Sequence, residues 1–188
     1  MGLKEALWLF PPRCTILVST VDSQGRKNLA PYSEFIKTYN DEFVIAMANE
    51  RHSLKNIRET NEFVAALPTI SLAEKISMTG KPFPEGVSEF EKAGLTPLKA
   101  EKVRPALVKE CIANFECRLL KEFTLNENAV LVVGSILAAH YDEKSVKGEL
   151  EARTSSNAAL YVGRGNASSI YTTMNGKPVD TGIDFTKV

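Results

Sequence analysis

The feature that most narrows the fold is a pair of short extended runs joined by four turn residues near the start of the chain. Residues 15–21 are dominated by Thr15, Ile16, Val18, Thr20 and Val21, whose branched β-carbons favour a pleated strand over a helix. Asp22-Ser23-Gln24-Gly25 follows, with Gly25 free to take positive φ, and residues 27–32 then read as the returning strand of a hairpin. More strand-like runs lie at 42–47 and at 62–67, the latter closed by Pro68. Two longer ones, 114–123 and 129–139, are separated by the polar Asn126-Glu127-Asn128. Helical signals are short. A helix over 3–10 is stopped by Pro11-Pro12, and one over 53–60 carries Leu54 and Ile57 on one side. Ser71-Leu72-Ala73-Glu74 and Ser88-Glu89-Phe90-Glu91 match the capping-box pattern, Gly94 is a helix stop, and 97–105 reads as a loop. Strands at both ends with short helices between them predict a mainly β protein with helical insertions (α+β). Its architecture is a closed or partly closed barrel rather than an alternating βαβ sheet.

At 188 residues, one core burying roughly 70% of the unfolded surface is expected. No repeat or low-complexity linker divides the chain, so residues 1–171 are expected to form one domain and the polar residues 172–188 a loose or partner-dependent tail. Lys plus Arg and Asp plus Glu number 23 each. That balance argues against a phosphate-neutralising nucleic-acid surface. Three cysteines, Cys14, Cys111 and Cys117, cannot all pair with one another and show no C-x-x-C spacing, which favours a reducing, cytoplasmic setting. Residues 1–10 hold no apolar run long enough for a signal peptide or a membrane span. With His52 and His140 far apart, no zinc-ligand spacing is present and no metal is expected.

The most informative stretch for chemistry is Asn49-Glu50-Arg51-His52-Ser53-Leu54-Lys55. It follows a strand and opens a helix, where unpaired N–H groups and the positive end of the helix dipole favour an anion. Arg51, His52, Ser53 and Lys55 add donors and charge at the same point, a setting suited to a phosphate monoester. The same residues also suit a plain helix start, with Ser53 as its cap and Arg51 and Lys55 solvated, and on residue types alone the two readings are level. A second stretch, Asn28-Leu29-Ala30-Pro31-Tyr32-Ser33, can present backbone groups and little bulk to the edge of a flat heterocycle. Read without further knowledge, it is a strand running into a proline turn.

Several familiar sites are absent. Gly163-Arg164-Gly165 begins like a dinucleotide loop, but Ala167 and Ser168 break the pattern and no helical run follows. There is no G-K-[ST] phosphate loop and no G-x-S-x-G elbow. Glu89 and Glu91 fall on what reads as a solvated helix, which argues against a hydrolase dyad. Cys111 and Cys117 have matching strand parity and read as small buried hydrophobes.

Taken in order, several of these stretches resemble the flavin reductase-like FMN-binding split-barrel family, which includes flavoredoxins. They are Thr15-Ile16-Leu17-Val18-Ser19-Thr20, the turn 22–25, Asn28 to Ser33, Arg51-His52-Ser53-Leu54-Lys55-Asn56-Ile57, Thr60-Asn61-Glu62-Phe63, and Val133-Gly134-Ser135-Ile136 through His140-Tyr141. The resemblance extends over residues 15–164. It implies a split barrel, a homodimer, and non-covalent FMN near the subunit interface. Asn28, Ala30, Pro31, Tyr32 and Ser33 would line the isoalloxazine and ribityl chain. Ala48, Asn49, Arg51, His52, Ser53 and Lys55 would surround the ribityl and phosphate, and Arg164 would reach across the dimer. Agreement with the independent anion argument favours the phosphate reading.

One departure matters. Reductases of this family that use reduced nicotinamide often carry a histidine five positions before the late-strand glycine, where this chain has Ala129. The expected function is an FMN-dependent oxidoreductase taking electrons from NAD(P)H or a small redox protein. No catalytic side chain is assigned, because the cofactor carries the chemistry. The alternatives are an FMN electron carrier without NAD(P)H activity, a non-catalytic flavin-binding module, and a pyridoxamine-phosphate-oxidase-like role.

Overall fold

The computed structural model describes residues 10–38, 41–84, 86–141, 143, 157–164 and 169–173. The helix expected over 3–10 lies, but for Phe10, outside the described residues, as does most of the expected tail. The strands are β1 (Arg13–Cys14), β2 (Ile16–Val21), β3 (Lys27–Tyr32), β4 (Phe35–Lys37), β5 (Glu42–Ala48) and β6 (Glu62–Leu67), then β7 (Pro97–Leu98), β8 (Leu107–Val108), β9 (Ala113–Asn126), β10 (Ala129–Tyr141), β11 (Leu160–Arg164) and β12 (Ser169–Thr172). The helices are α1 (His52–Thr60), α2 (Ala73–Thr79) and α3 (Glu89–Ala93). No helix among the described residues is long and apolar enough to cross a membrane.

Seven strands form one antiparallel sheet in the order β3-β2-β6-β9-β10-β5-β4. Its two outermost strands, β3 and β4, are joined through residues 33 and 34 alone. Three Cα steps reach at most ~11 Å, whereas a flat seven-stranded sheet would hold its edges ~29 Å apart. The sheet therefore curls until its edges nearly meet, as a split barrel. Register shifts in the β9–β10 pairing at Val133/Gly134 and Ile136/Ala138 supply part of the bend. At Gly134 the missing side chain matters, because a Cβ there would fall on the Phe63 ring.

The barrel interior is filled by Ile16, Val18, Phe43, Ile45, Met47, Phe63 and Val132, and α1 inserts Leu54 and Ile57 into the same cluster. Outside, Leu17, Leu29 and Ala66 are covered by Leu72, Ile76, Phe90 and Ala93, from around α2 and α3. Strand β2 is thus buried along both faces, which is why it reads as a continuous run rather than an alternating one.

Some expectations are corrected. Neither capping box forms: Ser71 lies within a 3-10 turn (Ile70–Leu72), its hydroxyl 2.7 Å from that of Thr69, and Ser88 stands at the start of α3 without a side-chain cap. Gly94 does end α3, with φ of 60°. The segment 97–105 is not wholly loop, since Pro97–Leu98 pairs with Leu107–Val108. Glu89 is buried, not solvated. Cys117 is buried in the barrel core as expected, but Cys111 precedes β9 and packs on the outer cluster. Burial pushes both thiols up to about 12, so both stay protonated and unreactive at neutral pH.

A buried carboxylate ties the 99–106 segment to the sheet. Glu116 on β9 is fully buried and accepts hydrogen bonds from the N–H groups of Glu101 (2.9 Å), Lys102 (2.6 Å) and Val103 (3.0 Å), with His140 Nε2 2.6 Å from its Oε1. Burial alone would push this carboxyl up, but the backbone N–H groups and His140 hold it below the usual carboxylate range.

Candidate functional site

The site is built where α1 meets the β2–β3 hairpin. Helix α1 begins three residues beyond β5, and its flanking residue Arg51 has extended backbone (φ −76°, ψ 135°) and makes no side-chain cap. The N–H groups of Leu54 and Lys55 both reach the Arg51 carbonyl, at 3.1 and 3.2 Å. Those of His52 and Ser53, at the first turn, face outward by helix geometry. No acidic residue occupies that first turn, so the positive end of the helix dipole is uncompensated there.

Ser53 does not cap the helix. It is buried, and its hydroxyl accepts from Asn28 Nδ2 at 3.0 Å. Asn28 Nδ2 also lies 3.3 Å from Thr20 Oγ1, which in turn accepts from Asn56 Nδ2 at 3.1 Å. These four buried polar side chains pin the start of α1 to β2 and β3, so the outward N–H groups are held in place before any ligand arrives. The sequence reading named Asn28 and Ser53 but missed Thr20 and Asn56. The signal for Asn56 was the small polar residues Ser53, Asn56 and Thr60 on one face of an otherwise apolar-faced helix, whereas Thr20 lies on β2.

Alternation along β3 sorts the other candidates. Asn28, Ala30 and Tyr32 share the face toward the barrel and α1. Pro31 points the other way, against the end of α2, where a Cβ on Gly80 would come within 3.2 Å of its ring. The Tyr32 hydroxyl oxygen is buried and has no hydrogen-bond partner. Burial pushes its phenol up, and the nearby Ser53 hydroxyl and Arg51 charge offset this only in part. The Tyr32 hydroxyl, close to Ser53 and Arg51 at the helix start, is a donor suited to an anionic, hydrogen-bonding ligand.

Around this point Arg51, His52 and Lys55 line an exposed cleft of ≈ 420 Å³ with Asn49, Glu50, Arg58 and Glu59. Arg58 is committed to Glu122, through contacts of 2.9 and 2.6 Å. Asn49 is also committed: its backbone N–H donates to Asn128 and its side chain to the Glu127 carbonyl, both at 3.0 Å. It ties the β9–β10 turn to the mouth of the cleft. Ala48 lies opposite Ala129 in the β5–β10 register, so the Ala129 departure sits beside the site. Ser33 lies just past the end of β3, its hydroxyl 3.3 Å from the Glu34 carboxylate. Arg164 ends β11 in a separate three-stranded sheet, paired with Ser169. Of the twelve residues expected from sequence, the structure gathers Asn28, Ala30, Tyr32, Ala48, Arg51, His52, Ser53 and Lys55 around the start of α1. Asn49 borders it, Pro31 faces Gly80, Ser33 follows β3, and Arg164 ends β11.

The structure is thus a curled split barrel with a helix start at its rim and no acidic residue in that helix's first turn. The chain belongs to the flavin reductase like domain family, whose model matches residues 11–167. It is 39% identical over 126 residues to an uncharacterized protein of Aquifex aeolicus, covering 63% of this chain and 64% of that one. The match spans 64% and 52% of the first two relatives' own lengths, less than two thirds of each. Among solved structures, nitrilotriacetate monooxygenase component B from Bacillus cereus superposes with a TM-score of 0.80 at 24% identity, over 96% of this chain and 94% of that one. Flavoredoxin of Desulfovibrio vulgaris superposes with a TM-score of 0.77 at 17% identity, over 95% of each chain. Both likenesses concern the fold.

Proposed function

We propose that this protein is an FMN-dependent oxidoreductase that passes electrons through a non-covalently held flavin. One observation carries the reading: the start of α1 is pre-set by the Ser53–Asn28–Thr20–Asn56 network, with the unpartnered Tyr32 hydroxyl and Arg51 beside it. In this reading the outward N–H groups of His52 and Ser53, with Arg51 and Lys55, hold the phosphate. Asn28, Ala30 and Tyr32 shape the wall along which the ribityl chain and ring lie, and Ala30 keeps that wall low. The flavin supplies the redox chemistry when bound, and the side chains bind and orient it.

The electron donor is NADH, NADPH or a small redox protein. Ala129, paired with Ala48, supplies no imidazole at that strand position, which favours the second reading, a carrier reduced by a protein partner. Absorbance of the purified protein, followed anaerobically after adding NADH and then NADPH, tests both. A flavin spectrum that bleaches with nicotinamide identifies a reductase, and one that stays oxidised identifies a carrier. A colourless protein that binds no FMN on titration refutes the proposal.

The cleft is exposed on the side away from the barrel, and a second copy of the chain is proposed to complete it. Support comes from the outer face of β4, β5, β10 and β9. There Ile36 pairs with Val44, Ala46 with Leu131, and Leu131 with Phe123. Ile36 is 62% exposed and Phe123 50%, an apolar face suited to a homodimer. Arg164 would reach across it. Three unpaired cysteines fit a cytoplasmic setting.

A further inference from the structure

A narrow cleft opens beside the start of α1, between that helix, β3 and the segment leading into α3. It encloses ≈ 40 Å³ and is lined by Asn28 and Asn56 together with Pro84, Val87 and Glu89. That is room for a hydroxyl group or a water or two, and not for a ring.

The two asparagines turn the same end toward it. Asn28 Nδ2 donates to Ser53 Oγ at 3.0 Å and to Thr20 Oγ1 at 3.3 Å, which uses both of its N–H bonds. Asn56 Nδ2 donates to the same Thr20 oxygen at 3.1 Å. With both NH₂ groups drawn toward Thr20, the Oδ1 atoms are the ends left to the cleft, and an amide oxygen only accepts. The residues are 8% and 6% exposed, so an acceptor there that finds no donor is costly. One hydroxyl, that of Thr20, thereby orients two buried carbonyl oxygens.

Such a wall calls for a donor on the ligand, close to its phosphate. From His52 to Asn56 the helix rises about 6 Å. A hydroxyl on the carbon next to a phosphate-bearing carbon lies roughly 4–5 Å from the phosphorus by ordinary bond lengths, which matches that step. Cationic side chains on the same cleft, Arg26, Lys27, His52 and Lys55, respond to the phosphate charge, which is the same with or without the hydroxyl. Discrimination for the hydroxyl therefore falls to the amide oxygens.

Resting on the FMN reading above, we propose that Asn28 and Asn56, oriented by Thr20, make the site specific for a polyhydroxylated phosphate ester. Their oxygens accept the ribityl hydroxyl nearest the phosphate. Thr20 is a positioning residue that acts through both.

The test compares the Kd of FMN with that of N10-(5-phosphopentyl)flavin, which keeps the ring and the phosphate but has no hydroxyls on the chain. Both are measured by flavin fluorescence quenching for the wild type, Asn56→Ala and Thr20→Val. The wild type is expected to prefer FMN by about tenfold or more. In each variant the ratio falls toward one, because FMN binds more weakly and the analogue does not. A general loosening of α1 would weaken both ligands and leave the ratio alone, so the ratio reads recognition rather than folding. A wild-type ratio near one overturns the proposal whatever the variants do. So does a preference that both variants retain, since water would then serve the two oxygens. Binding of neither flavin by the wild type overturns the FMN reading as well.

Discussion

Replacing Glu116 by glutamine should destabilise the protein far more than its conservative chemistry suggests. Each carboxylate oxygen serves two donors: Oε1 faces the Glu101 N–H and His140 Nε2, and Oε2 faces the Lys102 and Val103 N–H groups. An amide has one oxygen: turned one way, its NH₂ confronts the Lys102 and Val103 N–H groups, and turned the other it confronts the Glu101 N–H, while His140 can change tautomer and accept from it. At least one hydrogen bond is lost at about 1.5–3 kcal/mol, with a desolvated N–H group left behind, and the remaining bonds lose their charge assistance. Allowing for relaxation of the 99–106 segment, the expected loss is about 3–5 kcal/mol, a large part of a domain's total stability. Urea unfolding followed by circular dichroism reads this as a lower midpoint with an unchanged slope. The acid side gives a second readout. Because the folded carboxyl is held below its ordinary value of 4.5, its contribution is full above that value and is lost as pH falls through the lower folded value. The variant should lack that share of the acid sensitivity. A midpoint shift worth less than about 1 kcal/mol would refute the argument that this carboxylate anchors the segment.

Three further outcomes are expected. Gly134→Ala puts a Cβ onto the fully buried Phe63 ring and should cost about 1–3 kcal/mol or more by overpacking, read as a lower thermal midpoint. Tyr32→Phe removes an orphaned hydroxyl, so the ligand-free protein should be as stable or more stable by up to about 1 kcal/mol, while FMN binds more weakly. A loss of stability without a change in affinity would show that the hydroxyl serves the fold. Arg51→Ala should weaken FMN binding by about 1.5–3 kcal/mol in calorimetric titration, and wild-type affinity would place the anion site elsewhere.

Residues 15–32 show how much local chemistry could establish. Branched residues, a four-residue turn and a second run that pairs back form a hairpin whatever surrounds them, because those preferences act over a few bonds. The long strands around Asn126-Glu127-Asn128 were legible for the same reason, as was the helix start at Arg51 and Ser53 with its open N–H groups. Pro31 lies on the edge strand β3, but its side chain faces Gly80 rather than α1, since strand parity cannot be assigned until the opposite face has a neighbour. Other features waited on the tertiary structure. Nothing near Ser88 marks Glu89 as buried; that follows only once α3 packs against β3 and presents the carboxylate to Leu29 N–H. Thr20 and Asn56 are 36 residues apart and become one network only when α1 closes the barrel end. Glu116 and His140, 24 apart, meet through the β9–β10 register. The sequence by itself determined where the chain extends, turns and offers an anion its helix terminus, because those properties belong to neighbouring residues. Which polar groups are stripped of water and made to depend on one another was decided by the curl of the sheet, because desolvation is a property of the packed whole.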